Sequence, residues 1–218
     1  MTFSKPFEEQ LTSEEKIFLQ RLDTPLKIQE FLDSVQYPSG EHNRSVLNVL
    51  RKRHAHCLDG GLFGAAALGW LGFEPVILDI LPEPGTDDDH ILALYKVDGC
   101  WGAVAKSNFV GLRFREPIYR TLRELVLSYF ESYFNVDGLK TMRAYTRPIH
   151  LRRWDRLNWL IEDHGVDVIE KDLKGMKTTP IITPAMAARL NKADELTYKS
   201  GLGVANFDGL YKPVNREQ

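Results

Sequence analysis

The sequence predicts an α+β fold. Three observations between positions 57 and 106 carry this: a helix apolar on every side, a strand of branched aliphatic residues, and a hairpin turned by Asp98-Gly99. The helix covers residues 57–71, with Leu58, Leu62, Ala65 and Gly69 on one face and Phe63, Ala67, Trp70 and Leu71 on another. A helix without a polar face is buried. Gly60, Gly61 and Gly64 each cost it about 1 kcal/mol of propensity, which close packing must offset. Gly72 ends the helix, and residues 75–80 read as a strand. After a polar loop, the apolar runs 91–97 and 100–106 flank Asp-Gly, the strongest short-range hairpin signal. Helix, strand and hairpin in that order predict a helix packed on an antiparallel sheet.

The remaining elements follow from caps and spacing. Thr12 stands three residues before Glu15, a capping box, and Ile17, Phe18 and Leu22 follow at helical intervals. A second helix opens at Thr24-Pro25, turns Leu26, Phe31, Leu32 and Val35 inward, and stops at Tyr37-Pro38-Ser39-Gly40. Residues 119–134, 151–161 and 185–198 also read as helices. With no repeat, low-complexity tract or linker, residues 1–218 are expected to form one domain. Its parts are an N-terminal helical scaffold (1–44), a core (45–147) and a C-terminal helical extension wrapped on it (148–218).

Of the 218 residues, 43% are hydrophobic and 27% charged, with a formal net charge of -2. This is an ordinary globular composition, without the basic surplus that nucleic acid or an anionic membrane attracts. Arg152, Arg153 and Arg156 beside Trp154 and Trp159 therefore read as the basic face of an amphipathic helix. The first residues lack a secretory signal and no apolar run approaches the ~20 residues of a membrane helix, so a cytoplasmic protein is expected. Cys57 and Cys100 are the two cysteines, and both are expected to be free thiols.

Cys57 opens the buried helix, where unpaired N–H groups and the positive end of the helix dipole favour thiolate. By itself it would read as a buried structural cysteine. His90 stands at the mouth of a strand, after Asp87-Asp88-Asp89, and by itself would read as a loop histidine. Together they make a nucleophile and a base. His54, His56, Cys57 and His90 lack zinc-ligand spacing, and the Asp run lacks the glycine and glutamate of a calcium loop, so neither metal nor cofactor is expected.

The stretches from Cys57 to Phe63 and from Leu68 to Pro75, then His90, then Asp98-Gly99-Cys100-Trp101, resemble the core of transglutaminase-like proteins. The resemblance covers roughly residues 45–115. It implies a papain-like fold and acyl transfer at a thiol, with Cys57 heading the helix and His90 opening the following strand. The family's aspartate usually lies four residues after the tryptophan, and Ala105 stands there. Asparagine serves that orienting role in Cys-His-Asn sites, and Ser107 and Asn108 follow closely. A two-residue turn places Ser107 opposite His90; a three-residue turn places Asn108 there, the preferred choice because its amide oxygen can accept the imidazole N–H. Trp101, His56 and Asp89 are candidates for substrate contact, and Trp101 is expected beneath the site. The expected function is cysteine-dependent acyl transfer, as a protease, amidase or transglutaminase acting on a peptide or protein carbonyl. The competing reading is a catalytically silent domain that binds a peptide or protein in its cleft.

Overall fold

The computed structural model describes residues 4–40 and 42–213. Two short helices, α1 (Lys5–Gln10) and α2 (Ser13–Gln20), begin the chain. The Thr12 side chain accepts the Glu15 N–H while the Glu15 carboxylate accepts the Thr12 N–H, so the expected capping box starts α2. Thr24 caps α3 (Pro25–Ser34), and Ser45 caps α4 (Val46–Lys52), which the apolar pattern alone did not mark.

The apolar helix is α5 (Cys57–Trp70), with every residue buried except Gly69. Its glycines explain how it lies so close to its neighbours. A Cβ at Gly60 would stand 2.1 Å from the Lys106 Cβ, and one at Gly61 would stand 2.4 Å from the Ile91 Cγ2. A left-handed Gly72 (φ 97°) follows the helix.

Strands β1 (Val76–Pro82), β2 (His90–Val97) and β3 (Cys100–Val104) form the antiparallel meander expected. Asp98 (φ 48°) and Gly99 (φ 83°) make a two-residue turn with both φ positive, and Val97 pairs with Cys100. That register excludes the three-residue turn.

Residues 119–134 do not form one helix. They divide among the end of β4 (Arg115–Tyr119), which pairs Tyr119 with Trp101, then α6 (Leu122–Leu127) and a 3-10 turn at Phe130–Ser132. The break comes at Thr121, which forms a capping box with Glu124 and so starts a new helix. Strands β5 (Met142–Thr146) and β6 (Ile149–His150) both pair with β1. Residues 151–161 form a 3-10 segment, Leu151–Leu157, stopped by a left-handed Asn158 (φ 50°). Then come α7 (Asp163–Leu173) and β7 (Thr178–Pro180), which pairs with β5. The single helix expected at 185–198 is two, α8 (Pro184–Ala187) and α9 (Glu195–Leu202), the second capped by the Asp194 carboxylate.

The sheet runs β4-β3-β2-β1-β5-β7, with β6 also on β1. Residues 148–218 are therefore not purely helical, since β6 and β7 extend the sheet. Strand alternation divides the core into two layers. Ile77, Ile91, Ala93 and Tyr95 face α5, whereas Leu78, Ile80, Leu92 and Leu94 face α6 and the aromatic side chains Tyr129 and Tyr133. The protein is an α+β fold on an open antiparallel sheet. Among the described residues no helix is long and apolar enough to cross a membrane.

Candidate functional site

Cys57 is the first residue of α5, and His90 is the first of β2, paired with Ile80. In strand order His90 falls in step with Leu92 and Leu94. Its ring lies edge-on to Tyr129 and Tyr133, with centroids 6.2 and 6.5 Å away, on the layer opposite α5. The thiol and the imidazole therefore come from different layers. Both line one cavity of about 50 Å³ at the end of the sheet where β2 begins. Asp89, Ser107, Asn108 and Tyr133 line it too, and residues 209–211 close one side.

His90 is 3% exposed, and its Nε2 lies 2.7 Å from the Leu112 carbonyl oxygen. A carbonyl only accepts, so Nε2 carries the proton and the neutral ring leaves its lone pair on Nδ1. Burial pushes the His90 pKa down to about 4, with the Arg115 charge adding to the effect and the Leu112 hydrogen bond opposing it. At neutral pH the imidazole is an uncharged acceptor at Nδ1.

Cys57 is also buried, and its Sγ–H donates to the Asp89 carbonyl oxygen at 3.5 Å. Burial raises its thiol pKa, and the carboxylates of Asp88, Asp89, Asp79 and Asp59 raise it further. The helix start expected to favour thiolate is thus outweighed, and the resting group is the thiol.

Those carboxylates are themselves shifted. Asp89 is raised to about 7 by burial and by neighbouring Asp88. Asp87 is raised to about 6 by burial, although the Thr141 hydroxyl donates to it at 2.7 Å. Asp79 lies on the α5 side of β1, 1% exposed, and its Oδ1 has no hydrogen-bond partner among the described residues. Burial and the charges of Asp89 and Asp88 push it up as well. No group of three or more His, Cys, Asp or Glu among the described residues could hold a metal ion.

Ser107 and Asn108 line the cavity but do not hold the histidine. The Ser107 Oγ accepts the Phe109 N–H at 3.0 Å. Asn108 makes two 2.8 Å bonds to Asn206, donating from Nδ2 to the carbonyl and accepting the N–H at Oδ1. The register argument that nominated them fails because the ladder between β2 and β3 ends at Ala93 and Val104, short of both. Beyond it, the Gln29 amide bonds both the N–H and the carbonyl of Ala105, at 3.0 and 2.9 Å. The Lys106 Nζ donates to the carbonyls of Leu32 and Val35 at the end of α3. These bonds draw the chain away from β2. The Leu112 carbonyl takes the orienting position instead.

Two expected contact residues lie outside the cavity lining. Trp101 is half-buried in the hairpin on the layer away from α5, with the Lys96 Nζ 4.8 Å from its ring, so it is not beneath the site. His56 is the N-cap residue of α5. Its N–H donates to the Asp59 Oδ2 at 3.0 Å and its Nε2 faces the Pro38 carbonyl at 3.2 Å, so it braces the approach to the helix. Asp89, the third, does line the cavity.

The sequence did not point to Leu112, Tyr133, Asp79 or Asn206. Asp79 carried a signal, as the one acid inside the run Val76-Ile77-Leu78-Asp79-Ile80. Leu112 acts through its main chain and carried none. No protein-family model matches the sequence, and no curated protein matches it.

Proposed function

We propose that the protein is a cysteine-dependent acyl-transfer enzyme of papain-like, transglutaminase-like type, acting on a peptide or protein carbonyl from a resting neutral Cys57–His90 pair. One observation carries the reading: a thiol at the first residue of a buried helix and an imidazole with its Nδ1 lone pair free line the same cavity. The Sγ–H leaves the Asp89 carbonyl for His90 Nδ1, which takes the proton as sulfur attacks the substrate carbonyl. The oxyanion forms at the start of α5, where the Tyr37 hydroxyl, which accepts the Cys57 N–H, is the donor at hand. The intermediate collapses to a thioester as His90 passes its proton to the leaving group. Water or an amine then takes the acyl group.

A second reading, a silent peptide-binding domain, is favoured by the thiol itself, which burial and four carboxylates hold protonated. Acylation by p-nitrophenyl acetate, followed by intact-protein mass spectrometry, separates the two. The expected result is one acetyl adduct, mapped to Cys57, present in Cys100→Ser and absent in Cys57→Ala, with the Cys57→Ala fold intact by circular dichroism. His90→Ala should slow adduct formation by about 10²-fold or more. Adduct formation that survives His90→Ala at the full rate, or that maps only to Cys100, leaves the silent domain as the better account.

A further inference from the structure

We propose that Asn108 is the backbone clamp of a subsite for an extended peptide residue, that Asn206 of this chain occupies it as a built-in pseudosubstrate, and that the turn and segment after it, residues 207–211, cover the cavity at Cys57 and His90. The proposal rests on the acyl-transfer reading for its substrate class, not for its geometry.

The first observation is the pair of bonds between Asn108 and Asn206. A primary amide presents a donor and an acceptor side by side, matching the N–H and C=O that one extended residue shows along an edge. Asn206 is extended (φ -78°, ψ 106°) and enters a 3-10 turn at Phe207–Gly209; one Asn108 side chain bonds both of its main-chain groups, and its carbonyl also accepts the Gly209 N–H at 3.1 Å. This is how a strand edge recognises a peptide, and it is indifferent to the side chain of the residue held. Any extended peptide that displaced Asn206 would find the same two bonds.

The second observation is what the held segment covers. Gly209, Leu210 and Tyr211 line the cavity that Cys57 and His90 share. A volume of about 50 Å³ admits a few waters and no peptide side chain. A peptide substrate gains room beside the thiol when the segment leaves, whereas a small reagent needs less.

The third is how the segment is fastened. The Asn206 Nδ2 donates to the Tyr37 carbonyl at 2.8 Å, and Gly209 passes so close to the Pro38 carbonyl that an added Cβ would stand 2.7 Å from its oxygen. Its own anchoring is polar and local. Within it Phe207 is 66% exposed, and Leu210 and Tyr211 are only partly buried, so no fully buried side chain opposes release. Upstream, Tyr198 packs on Phe134 at 5.8 Å and donates to the Val136 carbonyl at 2.7 Å, which holds α9 in place as a hinge base.

The test uses the full chain in a Cys100→Ser background. Iodoacetamide labelling of Cys57 is followed by mass spectrometry in that protein and in two release variants, Asn206→Ala and Gly209→Val. Each variant should label at least tenfold faster, with the urea midpoint within error of the parent. Unchanged labelling in both, or faster labelling only in proportion to a lost midpoint, overturns the proposal. A fluorescein-labelled peptide of residues 204–213 should then bind Gly209→Val by anisotropy, and adding Asn108→Ala should weaken that binding at least tenfold. Binding indifferent to Asn108→Ala overturns the clamp. Neither readout needs turnover. A release variant that binds peptide and is never acylated refutes the acyl-transfer reading and leaves this one standing, whereas an acylated Cys57 unaffected by either release substitution does the reverse.

Discussion

The His90 ring is fixed from one side by a main-chain oxygen, and this sets what it can do at each pH. With Nε2 donating to Leu112 and burial holding the pKa near 4, the imidazole stays neutral through the physiological range. The folded pKa lies below the unfolded value near 6.5. The stability this group contributes is complete above 6.5 and is lost as pH falls through 4. An NMR titration should show the His90 ring protons unchanged from pH 8 down to about 5, and the tautomer should read as Nε2–H. A midpoint above 6 would show that the ring is solvated. Cys57 and His90 were legible in the sequence because each combines a reactive side chain with a position at the start of an element, which spacing and capping rules locate. The orienting group was not legible, since any residue could supply the Leu112 carbonyl. Asn108 was misassigned because the hairpin register was extended past Val104, where Gln29 and Lys106 turn the chain toward α3.

Among the elements, α5 shows packing overruling propensity. Replacing a helical glycine by alanine normally gains about 1 kcal/mol. At Gly61 the new methyl would stand 2.4 Å from the Cγ2 of Ile91, a buried branched residue in the middle of the sheet with little room to give. Gly61→Ala should therefore destabilise the fold by about 1 to 3 kcal/mol, read as a lower urea midpoint with an unchanged slope. A gain in stability would mean that the helix does not lie on β2 as closely as described. Elements that joined a cap to apolar spacing, α2 and α3, or carried an unbroken apolar run, α5 and the hairpin, were legible, whereas the caps at Ser45, Thr121 and Asp194 were passed over. The missed strands were short and carried no such pattern. In β5, Met142 and Thr146 are buried while the residues between them are only partly so, and the three residues of β7 are all exposed, so neither alternation nor an apolar run marked them. Their pairing to β1 and β5 supplies order that the local sequence does not specify.

Across the whole molecule, the carboxylates gathered near Cys57 make stability depend on pH in an unusual direction. Asp59 and Asp87 titrate near 6 and Asp89 near 7, each raised chiefly by burial. A raised carboxyl binds its proton sooner in the folded state than in the unfolded one. Its contribution is complete below the unfolded value near 4 and is lost as pH rises through the folded value. His90 and His56, both lowered by burial, oppose this as pH falls below 6.5, but Asp79 is raised by burial too, so two groups stand against four. The lowered carboxyls Glu15, Asp163 and Glu170 act only at lower pH, where they lose their stabilising partners on protonation. Stability should accordingly rise from pH 8 to about pH 5 and fall below about pH 4. The gain between pH 8 and pH 5 should be on the order of 2 kcal/mol, read from urea denaturation. Asp89→Asn is the sharper test, because asparagine stays neutral at every pH. That variant should match the parent at pH 5 and exceed it at pH 8, flattening the profile. A parent protein more stable at pH 8 than at pH 5, or an Asp89→Asn variant weaker at pH 8, would mean that the acids around the thiol are solvated and that Cys57 does not rest in a closed, acidic cavity.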